Sequence, residues 1–347
     1  MTPSHARRLA LHALLLAGSL AGAASASAQE TILKVHHFLS ATSNIHENLI
    51  RPWCVKVNKE SAGRLKCQIY PSMQLGGTPP QLFDQARDGV ADIVWTVPTY
   101  QAGRFTKTEV FELPFMAEHA ERTSPALWDY MQKNSLDEYR GVRPLFVHVN
   151  DGNLLHMGKA TVRKLEDLKG LKIRTPTRLS SHILAALGAT PVQMPVPVVP
   201  DAISKGVVDG ALLPWEVATS LKMQEITKVH VETPAGHPKL STIIFALLMN
   251  QATYDGLPAE LKKVIDANSG VEASRWAGKV ADAALTPARR IAQDRGNTFV
   301  TLSDEETRRW VEVTARVDEE WVKEVGAKGH DGKALLEEAR AAIRRYQ

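Results

Sequence analysis

The chain has 347 residues, with 42 Lys and Arg against 38 Asp and Glu, a formal net charge of +4, and 44% hydrophobic and 23% charged residues. That length exceeds one ordinary hydrophobic core, so two domains are expected. The near-balanced charge argues against a nucleic-acid scaffold, and the composition excludes a disordered or fibrous chain.

The chain opens with His5-Ala6-Arg7-Arg8, an apolar run over residues 9–24, and then Ala26-Ser27-Ala28. This basic, apolar, small-residue order predicts a cleavable secretory signal over 1–28; the run is too short and too rich in Ala and Gly for a spanning helix. No later segment is long and apolar enough to cross a membrane, so the mature protein is expected to sit in the periplasm without spanning it. Cleavage would leave 319 residues with 40 basic and 38 acidic side chains. In an oxidising compartment Cys54 and Cys67, the two cysteines, are expected to form a bridge that contributes about 3 kcal/mol. No C-x-x-C and no histidine at ligand spacing accompany them, which disfavours a redox or metal pair.

Residues 32–39 are apolar and β-branched and predict a first strand; Ser43 and Asn44 then open a helix with Ile45, Leu49 and Trp53 on one face, which Pro52 should kink. Leu65, Cys67 and Ile69 alternate with polar neighbours and mark a second strand ending at Pro71. A helix through Leu82, Phe83 and Ala86 stops at Gly89, and 92–97 reads as a third strand. This β-α-β-α-β order is that of a largely parallel sheet covered by helices. The alternation resumes after Pro144-Leu145-Phe146-Val147, with strands over 171–175, 191–194 and 207–213 and helices over 179–187 and 201–205. From Pro258 the chain turns helical, with Leu261, Val264 and Ile265 at helical spacing. Pro287 should bend or break the helical run there, and a strand over 298–302 and charged helices from Ser303 and Lys333 complete the chain.

Two segments repeat each other: Phe83 through Asp92 and Val199 through Asp209 both read helix, terminal Gly, Val, one residue, Asp, buried strand. Each strand runs into an apolar-Pro step, Val97-Pro98 and Leu213-Pro214, with Trp95 and Trp215 close by. The recurrence suggests two similarly built lobes, although Gly at a helix end is partly generic.

The chain contains no G-x-S-x-G, H-E-x-x-H, phosphate loop or dinucleotide G-x-G-x-x-G, so the commonest enzyme and cofactor signatures are missing. His36, His37 and His46 could be called a metal cluster, but adjacent strand residues point to opposite faces, so no metal and no cofactor is expected. Arg174 is more informative. It lies inside a β-branched strand and is followed by Thr175-Pro176, and its planar fork matches a carboxylate with two hydrogen bonds. An internal salt bridge or a surface arginine is the competing explanation.

Several segments in order carry a family resemblance: Gly63-Arg64-Leu65 leading to Tyr70-Pro71-Ser72-Met73-Gln74-Leu75-Gly76; Asp88-Gly89-Val90-Ala91-Asp92; Leu113-Pro114-Phe115; residues 167–176; Gly206-Val207-Val208-Asp209-Gly210; and Leu257-Pro258. The chain resembles the DctP-type solute-binding proteins of tripartite ATP-independent periplasmic (TRAP) transporters. The resemblance implies a two-lobed α/β fold with mixed, mainly parallel sheets flanked by helices and a long helix spanning both lobes. Lobe 1 would comprise 29–151 plus about 240–280, and lobe 2 would comprise 152–239 plus about 281–347. It also implies that Arg174 pairs with a ligand carboxylate and that Phe38, His37, Trp95, Thr96, Val97, Tyr100, Thr177, Leu213 and Trp215 line the cleft. The partners implied are a small organic acid and the membrane permease subunits.

Sialic-acid-binding relatives carry an Arg and an Asn where this chain has Leu154 and Leu213. Apolar walls would leave sugar hydroxyls unpaired, at about 1–3 kcal/mol each. A ligand with one carboxylate and an apolar or aromatic body is therefore expected. Rival readings are a periplasmic hydrolase using a histidine and a carboxylate such as Glu216, and a ligand-sensing component of a signalling system.

Overall fold

The structure is a computed structural model that describes residues 30–347; the predicted signal segment lies outside them. The chain first lays down β1 (Thr31–His37), β2 (Leu65–Tyr70), β3 (Ile93–Thr96) and β4 (Val142–Val149). It then crosses into a second sheet with β5 (Leu154–Met157), β6 (Lys172–Thr175), β7 (Thr190–Gln193), β8 (Gly210–Leu213) and β9 (Val229–Glu232). β10 (Ile244–Asn250) returns to the first sheet and β11 (Thr298–Thr301) to the second. The strand orders are β2-β1-β3-β10-β4 and β11-β9-β5-β8-β6-β7.

The parallel pairs β1–β2, β1–β3, β6–β7 and β6–β8 are those the alternating pattern predicts. β10, antiparallel to both β3 and β4, and β5, antiparallel to β8 and β9, were not legible and make both sheets mixed. The internal repeat has a structural counterpart. Asp92 Oδ2 accepts from Lys34 N–H (2.8 Å) while its own N–H donates to the Lys34 carbonyl. Asp209 does the same with Lys172, also at 2.8 Å. Each aspartate fastens the start of its strand to the neighbouring parallel strand, so the two lobes share a construction device. The predicted strand over 207–213 begins only at Gly210, because Val207 is half exposed at the turn that Gly206 makes.

Two proline expectations need correction. Pro52 lies in the first turn of the Arg51–Glu60 helix, where a missing N–H is tolerated. The turn before it, His46–Ile50, is π-helical, and Arg51 N–H reaches back five residues to the His46 carbonyl. Pro287 does not break its helix, which runs without interruption over Val271–Asp294. That helix is held by packing along its length, which outweighs one lost hydrogen bond. At Gly278 it approaches the Ala120–Asn134 helix so closely that a Cβ would lie 2.2 Å from the Ala120 carbonyl oxygen. Asp282 on the same helix accepts from the N–H groups of Ala120 and Glu121, supplying the cap that the shorter helix lacks. Its other half packs behind the second sheet, against the short Trp215–Ala218 helix.

The final two helices divide between the lobes. Asp304–Ala327 packs on the Arg178–Ala186 helix of the second lobe, whereas Gly332–Arg345 packs on Ala120–Asn134 of the first. The last fifteen or so residues thus leave the lobe to which the chain's tail was assigned. Cys54 on the Arg51–Glu60 helix is bonded to Cys67 on β2, with Cα atoms 5.7 Å apart. Among the described residues no helix is long and apolar enough to cross a membrane.

Candidate functional site

A cavity lies between the lobes, with about 370 Å³ of unfilled space when its mouth is included. From the first lobe it is lined by Phe38 and Leu39 at the end of β1, Trp95 and Val97 on and after β3, Tyr100, and Ile243 and Phe245 around β10. From the second it receives Arg174, Pro176, Val196, Leu213, Pro214, Glu216 and Val217, and the crossing between β4 and β5 contributes Asn150 and Asn153. These positions arise from the topology. The strand ends that carry them face the gap between two open α/β sheets, where such folds place ligands.

Arg174 is 1% exposed. Its Nε donates to the Met194 carbonyl (2.9 Å) and Nη1 to the Leu212 carbonyl (3.0 Å), so two backbone oxygens from the strands flanking β6 fix the fork. Nη2 is buried and has no partner among the described residues. Among the described residues no carboxylate pairs with it. Burial brings its pKa down to about 10, and the adjacent Tyr100 hydroxyl pulls the other way, so the group stays cationic at neutral pH. A buried cation with a free donor has the chemistry to take an anion.

The opposite wall is aromatic. Trp95 stacks on Phe245 with ring centres 4.7 Å apart and 8° between planes, and Phe38 lies 5.0 Å from Trp95. Trp95 Nε1 donates to His148 Nε2 (3.0 Å), and His148 Nδ1 donates to the Val149 carbonyl. Burial lowers the His148 pKa to about 4, which keeps the imidazole neutral and able to accept from the indole. Phe38 also contacts Tyr100, whose hydroxyl accepts from Val196 N–H across the gap (3.4 Å).

Of the residues expected in the cleft, the structure brings Arg174, Phe38, Trp95, Val97, Tyr100 and Leu213 to the cavity. Four others lie elsewhere. Trp215 points behind the second sheet, where its Nε1 donates to Glu232 (2.9 Å) and its ring packs on His156, His230 and Phe299. Thr96 alternates with Trp95 and Val97 and so faces the other side of its sheet. His37 bonds His46 ring to ring (2.9 Å), while His36 on the opposite face bonds Gln85, which keeps the two imidazoles apart. Thr177 caps the Arg178–Ala186 helix and donates to Glu112 (2.8 Å). Leu154 lines a separate recess beside Trp215 rather than the cavity. Missed by sequence reading were Phe245 and Ile243, because no element was assigned there, and Asn150 and Asn153, whose only signal was a polar cluster after an apolar strand.

The lobes are also joined outside the cavity. Glu112 is fully buried and accepts from Thr99 (2.6 Å) and Ile244 N–H (3.2 Å) on its own side and from Thr177 on the other. Arg178 of the second lobe pairs with Glu109 of the first.

Two lobes crossed by the chain, with a cavity and a buried guanidinium between them, have the build of a solute-binding protein. The chain belongs to the bacterial extracellular solute-binding protein family 7, the DctP family, which matches residues 35–324. A TRAP solute-binding protein from Rhodoferax ferrireducens, solved with copurified benzoate, is 45% identical with a TM-score of 0.90, covering 91% of this chain and 98% of that one. A marine-metagenome TRAP solute-binding protein described as specific for aromatic acid ligands, solved with 3-hydroxybenzoate, is 42% identical with a TM-score of 0.90, over 92% and 99%. One from Bordetella bronchiseptica with bound mandelate is 28% identical with a TM-score of 0.84, over 91% and 100%.

Proposed function

We propose that this protein captures a single-ring aromatic carboxylate in the periplasm, after removal of its export segment, and hands it to the membrane permease of a TRAP transporter. The ligand carboxylate takes the free Nη2 of Arg174, with the Tyr100 hydroxyl beside it, and the ring lies against Trp95, Phe245 and Phe38. Closure removes water from around the ion pair and so strengthens it. The observation that carries this reading is the unpartnered Arg174 nitrogen in a largely apolar and aromatic gap. The three aromatic-acid relatives agree with it.

Calorimetry with benzoate tests it. Wild-type protein binds, and Arg174→Ala loses about 100-fold or more in affinity, as expected when one partner of a buried charge pair is removed. Arg174→Met, closer in volume, guards against loss of the fold. Retention of near wild-type affinity by both variants would remove Arg174 from the site.

A further inference from the structure

Resting on the aromatic-acid reading above, we propose that Glu216 is a second polar station in the same cavity and selects ring acids that carry a hydroxyl group. Glu216 comes directly after Trp215 at the start of the short Trp215–Ala218 helix, is 3% exposed and lines the cavity that holds Arg174. Its backbone N–H donates to Asp151 Oδ1 (3.5 Å). Its side-chain Oε2 is buried and has no partner among the described residues.

The two asparagines of the cavity wall are already committed. Asn150 Nδ2 donates to Asn153 Oδ1 (2.9 Å), Asn153 Nδ2 donates to Ser241 (3.0 Å), and Asn150 Oδ1 accepts from the N–H groups of Gly152 and Ile243. The buried polar atoms of the cavity wall left without a partner are therefore Arg174 Nη2 and Glu216 Oε2. The first calls for a carboxylate. The second calls for a group that can donate or accept a hydrogen bond at another point of the same ligand.

Ionised, Glu216 would repel the anion that Arg174 attracts. Burial, with the carboxyls of Asp151 and Asp282 nearby, pushes its pKa well up and so favours the neutral acid. In that form it offers both a hydroxyl and a carbonyl oxygen. A ring without a polar substituent leaves Oε2 without a ligand partner, and sites built around a substrate hydroxyl discriminate strongly against analogues that lack it.

The test is calorimetry on the mature protein with benzoate, the three monohydroxybenzoates and their methyl ethers. One hydroxy isomer is expected to bind wild type about ten-fold or more tightly than benzoate, and its methyl ether should lose that gain. In Glu216→Leu the ratio between that isomer and benzoate falls to within about two-fold, while Glu216→Gln keeps part of it. A wild-type protein that binds benzoate as tightly as every hydroxy isomer overturns the proposal, as does a ratio that survives in Glu216→Leu. Failure of all these ring acids to bind wild type overturns the aromatic-acid reading itself, and this station with it. The wild-type comparison is independent of how either variant folds.

Discussion

Arg174 combines two requirements that usually conflict: a charge kept out of water and a donor kept free. Backbone carbonyls reconcile them, since they hold Nε and Nη1 by partial charge without neutralising the cation. Glu112 solves the opposite problem, a buried acid shared by both lobes. Burial raises its pKa to about 7, against the hydrogen bonds it accepts from Thr99, Thr177 and Ile244 N–H. Because the folded value lies above the ordinary 4.5, the folded state holds the proton more tightly than the unfolded one. Stability from this group is fully present below the unfolded pKa and is lost as pH rises through about 7. Glu112→Gln keeps an acceptor and removes the titration. Relative to wild type, the variant should gain up to about 3 kcal/mol as the pH rises across that window, read by urea melts at several pH values. Parallel stability curves would mean that folding leaves the Glu112 pKa unshifted.

At the scale of elements, what was legible is what repeats locally. The strand-helix-strand runs, the terminal glycines and the strand bearing Arg174 all announce themselves within a dozen residues, and the odd placement of an arginine before Thr175-Pro176 singled out a side chain that lines the cavity. β10 did not announce itself. Its seven residues are buried on both faces and show no alternation, and its partners Ile93–Thr96 and Val142–Val149 lie about a hundred residues or more away in sequence. Phe245 and Ile243 were missed for that reason, although their wall-mates Trp95 and Phe38 were expected. Trp215 was misplaced because adjacency to an apolar-Pro step does not say which way a side chain turns when a helix begins there. Pro287 misled because its local cost is outweighed by contacts such as the one at Gly278. Gly278→Val should therefore lower stability by about 1–3 kcal/mol by forcing the long helix off Ala120–Asn134, seen as a drop in melting temperature. An unchanged melting temperature would show that the two helices can separate freely.

Over the whole molecule, the lobes are tied by specific polar groups, among them Tyr100 to Val196, Glu112 to Thr177, Arg178 to Glu109, Trp321 to the Thr106 carbonyl, and the Asn150–Asn153 crossing fastened to Ser241. The two-lobed plan was legible because the helix-Gly-Val-x-Asp segment occurs twice. The division of the tail was not, since it depends on which existing helix the last one meets. The stack of Trp95 on Phe245, both on the first lobe, gives arrival of a solute a built-in optical reporter. One of seven tryptophans sits on the wall that a ligand ring would touch, its indole N–H tied to a neutral imidazole. Benzoate should shift the intrinsic fluorescence of the wild type, and Trp95→Phe should abolish most of that change. A full signal in the variant would instead place the emission change on an indole remote from the solute, carried there by the moving lobes.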